Sequence, residues 1–142
     1  MRVVLFDIDG TLLLTGGAGL AALTRAFQDL HDVENAADGV EFHGRTDPLI
    51  LDSIARRTLG RPLVDGELTE LFRRYLEHLP AALLDRPFRV LPGALEVVDA
   101  LHRQDDVLLG LATGNVEPAA WAKLRRGGLA GAVFLAGALL AA

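Results

Sequence analysis

The sequence predicts an α/β fold: a doubly wound, Rossmann-like parallel sheet with an all-helical insertion after its first strand. Two runs, 3–6 and 107–112, are short, continuous and apolar, which is typical of strands buried on both faces of a parallel sheet. Both runs end abruptly in small polar residues. Between them, residues 20–85 show only helical spacing of apolar residues, so we expect no strand there.

The insertion is predicted to contain three helices. Apolar residues recur at helical spacing over 20–30. Asp47 is the expected N-cap of the second helix, because Pro48 at the first helical position loses no hydrogen bond there. Gly60 is expected to end that helix. The third helix is predicted to open near Asp65.

The rest of the chain is predicted to complete the core. Pro80 is expected to disrupt the last helix of the insertion, because proline removes a backbone donor. A helix is expected over 94–101, and another from Pro118 to the paired glycines at 127–128. Residues 132–135 are predicted to form a third strand.

Composition excludes several function classes. The chain has 142 residues, no cysteine and a net charge of −5. Disulfides and thiol catalysis are therefore excluded, and nucleic-acid binding is not expected, because it normally requires a basic patch. The short apolar N-terminal run leads directly into acidic residues, unlike a secretory signal. A soluble cytoplasmic protein is the expectation.

The C-terminal segment, 129–142, carries no charge. Fourteen residues are too few for a membrane-spanning helix, which needs about 20. We interpret the segment as a buried strand followed by an apolar tail, in preference to a membrane-surface element.

The first polar cluster contains Asp7, Asp9, Gly10 and Thr11. Residues two apart on an extended chain point the same way, so the two carboxylates would repel each other unless a cation lay between them. Oxygen ligands of this kind suit Mg²⁺. One carboxylate could attack a phosphoryl group and the other could move protons, while Gly10 permits a close backbone approach. Capping acids at a solvent-exposed strand end are the structural alternative.

The second cluster is Thr113, Gly114 and Asn115. Ligands in open parallel sheets bind beyond the carboxyl ends of strands, so neighbouring strands would bring both clusters to one pocket. A hydroxyl and successive amides near a helix start favour an anion. By itself this cluster would indicate only a turn or an N-cap.

Two basic residues are further candidates. Thirteen of the fourteen Lys and Arg residues are arginine, and Lys123 is the single lysine. Because a compact ammonium differs from a guanidinium fork, Lys123 is a candidate for neutralising phosphate or the nucleophile. Arg45 precedes an insertion helix and could grip an anionic substrate. Solvated surface positions are the alternative for both.

These residues carry a family resemblance that runs from residue 1 to about residue 134. V-L-F-D-I-D-G-T-L at 4–12 resembles the first motif of the haloacid dehalogenase superfamily, and L-A-T-G-N at 111–115 resembles its second motif. Lys123, in A-K-L-R-R-G-G-L, resembles the lysine of the third motif. The insertion resembles the small cap of the phosphoglycolate phosphatase and phosphoglucomutase branch, and H-G-R-T-D around Arg45 is similar to a cap loop in that branch.

The resemblance implies a core of residues 1–16 and 87–142 and a cap of residues 17–86. It implies a Mg²⁺-dependent phosphatase for a small phosphorylated metabolite such as 2-phosphoglycolate. Asp7 would be the nucleophile that forms an aspartyl phosphate. Asp9 would be the general acid/base, and its main-chain carbonyl would bind Mg²⁺. The remaining roles fall on residues that would hold the phosphoryl group or the substrate: Gly10, Thr11, Arg45, Thr113, Gly114, Asn115 and Lys123.

One departure from the family pattern affects these expectations. The fourth motif of the family supplies further acids to the Mg²⁺ site, but no Asp or Glu follows Lys123. We therefore expect a truncated member that lacks the C-terminal part of the core, with weakened metal binding. An uncovered sheet edge would favour self-association. Two alternatives stay open: an inactive fragment that serves as a binding or assembly module, and a phospho-acceptor signalling domain.

Overall fold

The computed structural model describes residues 1–133 and 139–141. Its strands are β1 (Arg2–Phe6), β2 (Leu13–Leu14), β3 (Arg89–Val90), β4 (Val107–Thr113) and β5 (Leu139–Ala141). Its helices are α1 (Ala18–His31), α2 (Asp47–Leu59), α3 (Glu67–Asp85), α4 (Ala94–His102), α5 (Glu117–Arg126) and α6 (Ala130–Val133). The chain divides into two compact units, one formed by residues 1–16 with 87–142 and the other by residues 17–86.

The first unit is built on a parallel three-stranded sheet in the order β1-β4-β5. Strand β1 pairs with β4 from Arg2 opposite Val107 to Phe6 opposite Leu111. Its buried side chains come from the strands, from the turn after β1 and from the helices that pack on the sheet. They are Ile8, Leu12, Leu13, Ala94, Val98, Leu109, Leu111, Ala120, Leu124 and Leu129. The predicted α/β class is therefore confirmed.

The prediction that β1 is buried on both faces is wrong for the described part of the chain. Val4 and Phe6 pack against the core, but Val3 is 57% exposed and Leu5 is 47% exposed. Because alternate residues of a strand point to opposite faces, one face of β1 is packed and the other faces solvent. Its apolar composition alone does not distinguish these two cases.

The prediction of a third strand over 132–135 is also wrong for residues 132 and 133, the part of this range that the structure describes. Residues 130–133 form the short helix α6, and residues 134 and 135 lie outside the described residues. A third strand does occur, but it is β5, which pairs in parallel with β4. A short apolar run suits a strand or a buried helical turn equally well, and the helical turn is formed here.

The two-residue strands β2 and β3 were not expected. They pair antiparallel, with Leu13 opposite Val90 and Leu14 opposite Arg89. A segment of two residues is too short to show strand alternation, so the sequence carries no signal for it. The hydrogen bonds between β2 and β3 connect the segment just before the helical insertion with the segment just after it.

The second unit is helical, as predicted. Helix α1 packs on α3 through buried apolar side chains that include Phe27, Leu71 and Leu79. Asp47 is not the N-cap of α2, because the helix starts at Asp47 and Thr46 is the N-cap, with extended backbone. Gly60 ends α2 in the left-handed conformation, with φ of 68°.

Helix α3 is not disrupted at Pro80, in contrast to the prediction. The helix continues from Glu67 to Asp85, with Pro80 inside it. Leu79 and Leu83 on either side are buried, so packing of this face outweighs the loss of one backbone hydrogen bond. Across the described residues, no helix has the length and apolar character needed to cross a membrane.

Candidate active site

A tight turn follows β1 and carries the first polar cluster. The carbonyl oxygen of Ile8 accepts hydrogen bonds from the backbone amides of Thr11, Leu12 and Leu13, at 3.3, 3.0 and 3.2 Å. Gly10 has φ of 81°, a left-handed conformation that favours glycine. The turn is anchored because Ile8 is fully buried.

Asp7 and Asp9 flank the buried Ile8 and are both exposed. Strand β1 ends at Phe6, so the two acids belong to the turn and not to the strand itself. The in-out alternation nevertheless continues through Ile8, which places both carboxylates on the solvent side. The Asp7 carboxylate accepts a hydrogen bond from the amide of Ile8 at 2.8 Å, and among the described residues it forms no ion pair.

The second polar cluster follows β4, the strand next to β1. Thr113 is 4% exposed and Asn115 is 6% exposed. The Thr113 hydroxyl oxygen accepts hydrogen bonds from the Asn115 side-chain nitrogen at 2.7 Å and from the Asn115 backbone amide at 3.3 Å. The same side-chain nitrogen donates to Asp9 Oδ2 at 2.7 Å. The two clusters therefore meet at the carboxyl ends of neighbouring strands, as predicted.

Lys123 joins this cluster from helix α5. Its side chain is 6% exposed, and its ammonium nitrogen lies 2.9 and 2.8 Å from the two carboxylate oxygens of Asp9. It also donates to Asn115 Oδ1 at 2.5 Å. The sequence suggested phosphate or the nucleophile Asp7 as its partner. The structure pairs it with Asp9 and with the side-chain oxygen of Asn115.

The remaining candidates are not all part of this network. Gly10, Thr11 and Gly114 lie in the turns that carry the bonded residues. Arg45 belongs to the other unit, where it is exposed and donates to Ser53 Oγ at 3.1 Å. This bond holds the Arg45 loop to helix α2.

The available donors allow a sparse metal site. No group of three or more His, Cys, Asp or Glu side chains in the described part of the chain is arranged to hold a metal ion. Asp7 supplies a carboxylate without a cationic partner there, whereas the Asp9 carboxylate is bound to Lys123. Because Mg²⁺ commonly uses one or two carboxylates together with substrate phosphate, these residues fit an ion bound jointly with phosphate and do not form an all-protein cage.

A family model described as haloacid dehalogenase-like hydrolase matches residues 1–137. The chain therefore belongs to the haloacid dehalogenase-like hydrolases. A search of the curated proteins found no match.

Solved structures share the fold at low sequence identity. CbbY from Rhodobacter sphaeroides in complex with phosphate matches with a TM-score of 0.71 and 21% identity, over 96% of this chain and 62% of that chain. A predicted phosphoglycolate phosphatase from Haemophilus somnus matches with a TM-score of 0.59 and 18% identity, over 96% and 60%. The hydrolase YfnB from Bacillus subtilis bound to magnesium matches with a TM-score of 0.55 and 20% identity, over 99% and 64%. The present chain thus spans about three-fifths of the length of these proteins.

Proposed function

We propose that this protein hydrolyses phosphate monoesters through an aspartyl-phosphate intermediate on Asp7. The observation that carries the proposal is the network of Asp9, Thr113, Asn115 and Lys123 beside Asp7. The network supplies a carboxylate, a hydroxyl and a buried ammonium at the carboxyl ends of two parallel strands. Asp7 adds a carboxylate that has no ion-pair partner among the described residues. Phosphoryl transfer to a carboxylate can use one of these groups as the nucleophile, one as the proton donor and the others to stabilise the developing charge.

In the first step, a carboxylate oxygen of Asp7 attacks phosphorus as the bond to the ester oxygen breaks. Asp9, which is ionised and paired with Lys123 in the free protein, must be protonated for this step, and it gives its proton to the departing oxygen, so that an alcohol leaves. In the second step, water attacks phosphorus, the bond between phosphorus and the Asp7 oxygen breaks, and the Asp9 carboxylate accepts a proton from the water. Inorganic phosphate and the Asp7 carboxylate are released, and Asp9 is again ready to donate.

The other residues would hold the transferring group. The hydroxyl proton of Thr113 can be donated to a phosphoryl oxygen, and the Lys123 ammonium supplies positive charge where charge accumulates in transfer. Mg²⁺ bound by Asp7 and the main-chain carbonyl of Asp9 would supply charge neutralisation for the phosphate. The magnesium-bound YfnB structure supports this choice of ion.

The proposed substrate is a small phosphorylated metabolite, with 2-phosphoglycolate as one candidate. CbbY has been captured with phosphate, and a mutant of it with xylulose-(1,5)bisphosphate. The Haemophilus somnus structure is described as a predicted phosphoglycolate phosphatase. The Arg45 loop of the helical unit is the proposed substrate-sensing element, and a cytoplasmic location fits such a substrate.

The test is release of inorganic phosphate from p-nitrophenyl phosphate and from 2-phosphoglycolate, with and without Mg²⁺. Wild-type protein is compared with Asp7→Asn, which keeps the size of the side chain and removes its charge. We expect Mg²⁺-dependent release by the wild type and loss of release in the variant. Equal rates for both proteins would contradict the assignment of Asp7.

The second candidate function is an inactive binding or assembly module. The exposed apolar face of β1 and the sparse set of carboxylates favour it. Binding of phosphate without turnover by the wild type, together with concentration-dependent association, would support this function over hydrolysis.

A further inference from the structure

The side chain of Asn115 connects every charged or polar group of the bonded network. Its nitrogen lies 2.7 Å from Asp9 Oδ2 and 2.7 Å from Thr113 Oγ1. Its oxygen lies 2.5 Å from Lys123 Nζ. With 6% of its surface exposed, this amide is a buried hub between two carboxyl-terminal strand ends and helix α5.

The chemistry of the partners dictates the orientation of this amide. An ionised carboxylate only accepts hydrogen bonds, so the group facing Asp9 must be the NH₂. An ammonium only donates, so the group facing Lys123 must be the carbonyl oxygen. If the amide were rotated by half a turn, its oxygen would face the Asp9 carboxylate and its NH₂ group would face the Lys123 ammonium, and both contacts would be repulsive. The neighbouring charges therefore select a single arrangement.

In this arrangement Asn115 has no N–H left for a substrate. An NH₂ group has two protons, one of which is donated to Asp9 and the other to Thr113. The backbone amide of Asn115 is directed to Thr113 Oγ1 at 3.3 Å. Because these bonds occupy the acceptor side of the Thr113 oxygen, the hydroxyl proton of Thr113 is turned away from Asn115.

We propose that Asn115 is a positioning residue that aligns Asp9, Thr113 and Lys123, and that its side chain does not bind phosphate. The proposal rests on the proposed function and replaces the phosphate-binding role that the sequence suggested for this residue. Asn115 fixes the approach of Asp9 to the leaving oxygen and the direction of the Thr113 hydroxyl. Lys123 keeps its two contacts to Asp9 without Asn115, so positive charge stays at the site.

The two roles make different predictions for Asn115→Ala. A group that binds phosphate directly contributes to the affinity for inorganic phosphate, whereas an aligning group acts mainly in the transition state. We expect Asn115→Ala to keep the affinity for inorganic phosphate within about threefold of wild type and to lower kcat by about tenfold or more, with little change in KM. Lys123→Ala leaves the charge of Asp9 uncompensated, so repulsion is expected to weaken phosphate binding by about tenfold or more.

The experiment measures inorganic phosphate binding by calorimetry in the presence of Mg²⁺, and kcat and KM with p-nitrophenyl phosphate. Gln104→Ala is the matched control, because it removes an exposed amide near the start of β4, at the opposite end of the strand from Thr113. Far-ultraviolet circular dichroism checks folding. If Asn115→Ala does not fold, Asn115→Ser replaces it, and the same split between kcat and phosphate affinity is expected.

A loss of phosphate affinity of about tenfold or more in the Asn115 variant would overturn the proposal, whatever happens to kcat. An unchanged kcat would also overturn it. If the wild type binds phosphate but shows no turnover, the proposed hydrolysis fails. The comparison of affinities then still decides whether Asn115 is a phosphate ligand.

Discussion

The ammonium group of Lys123 has three protons, and three side-chain oxygens surround it. Two belong to Asp9 and one to Asn115. A buried charge is costly unless it is paired and hydrogen-bonded, and this arrangement meets both conditions. A planar guanidinium has a different shape and needs more room. The site is therefore specific for lysine and does not merely require a positive charge.

This specificity predicts that Lys123→Arg does not preserve activity. We expect kcat for p-nitrophenyl phosphate to fall by about 100-fold, in the range seen when one preorganised transition-state donor is removed. Arg125→Lys is the matched control, because it makes the reverse exchange at an exposed position of the same helix, and its kcat should stay at the wild-type value. Wild-type kcat in Lys123→Arg would show that charge alone is sufficient.

Composition singled out Lys123, but it did not give its partner. The sequence contains thirteen arginines and a single lysine, and this contrast was enough to identify Lys123 as a candidate. Which carboxylate it contacts depends on the turn after β1, which places Asp9, and on the position of helix α5, which carries Lys123. Both are tertiary features that spacing along the chain does not encode. The same limit applies to Asn115, whose polar character was evident and whose linking position was not.

At the scale of elements, the start of helix α3 is held by an ion pair. Arg61 donates two hydrogen bonds to the carboxylate of Glu67, at 2.8 and 2.9 Å, and the amide of Val64 donates a third at 2.8 Å. The bond from the Arg61 side chain, followed by that from Val64, lowers the pKa of Glu67 from 4.5 to about 2. The loop before α3 is thereby tied to its first turn.

The lowered pKa of Glu67 predicts a pH-dependent contribution to stability. Because the pKa is lower in the folded than in the unfolded chain, the contribution is present above pH 4.5 and is lost as the pH falls toward about 2. Glu67→Gln should therefore unfold at lower urea concentration than wild type at neutral pH, and the difference should shrink below pH 4.5. Glu34→Gln, at an exposed position, is the control. A difference that does not change with pH would contradict the role of the ion pair.

Pro80 in helix α3 gives a second prediction at this scale. Proline is less favourable than alanine inside a helix by about 3 kcal/mol, and Pro80 is exposed, so its ring is not needed to fill the core. Pro80→Ala should raise the free energy of unfolding by about 1–3 kcal/mol, as measured by urea denaturation. The neighbouring Ala81→Gly should lower it by about 1 kcal/mol. No gain in Pro80→Ala would mean that the helix has adapted fully to the proline.

The sequence signals for glycine, proline and apolar spacing predicted which segments are helical better than they predicted where each helix begins and ends. Gly60 was correctly expected to end α2, because a left-handed residue is needed there. Pro80 was expected to break α3, but packing of the buried leucines beside it sustains the helix. Helix propensity describes the preference of an isolated segment, and tertiary contacts can override that preference in the folded protein.

At the scale of the whole molecule, the solvent-facing side of β1 is a surface through which copies of the chain are expected to associate. Val3 and Leu5 are exposed on a strand that has a partner on one side only among the described strands. Exposed apolar faces promote association between copies, and the unpaired backbone groups of an edge strand can pair with another chain. The prediction that β1 is buried on both faces was wrong, because an apolar run does not show whether one face or both faces of the strand are covered by other elements.

Val3→Lys should therefore reduce concentration-dependent association. The weight-average mass is measured by light scattering after size-exclusion chromatography over a range of loading concentrations. Leu84→Lys is the control, because Leu84 is 69% exposed and lies on helix α3, in the other compact unit. Equal association of wild type and Val3→Lys would show that this face does not mediate contacts between copies.

The central claim is that Asp7 accepts the phosphoryl group. Protein mixed with p-nitrophenyl phosphate and Mg²⁺ is quenched in acid, digested with trypsin and analysed by mass spectrometry. The peptide between Arg2 and Arg25 contains both Asp7 and Asp9, and fragmentation separates the two positions. We predict one added phosphoryl group on Asp7 in the wild type and none in Asp7→Asn. A phosphoryl group on another residue, or turnover with no phosphorylated peptide, would contradict the claim.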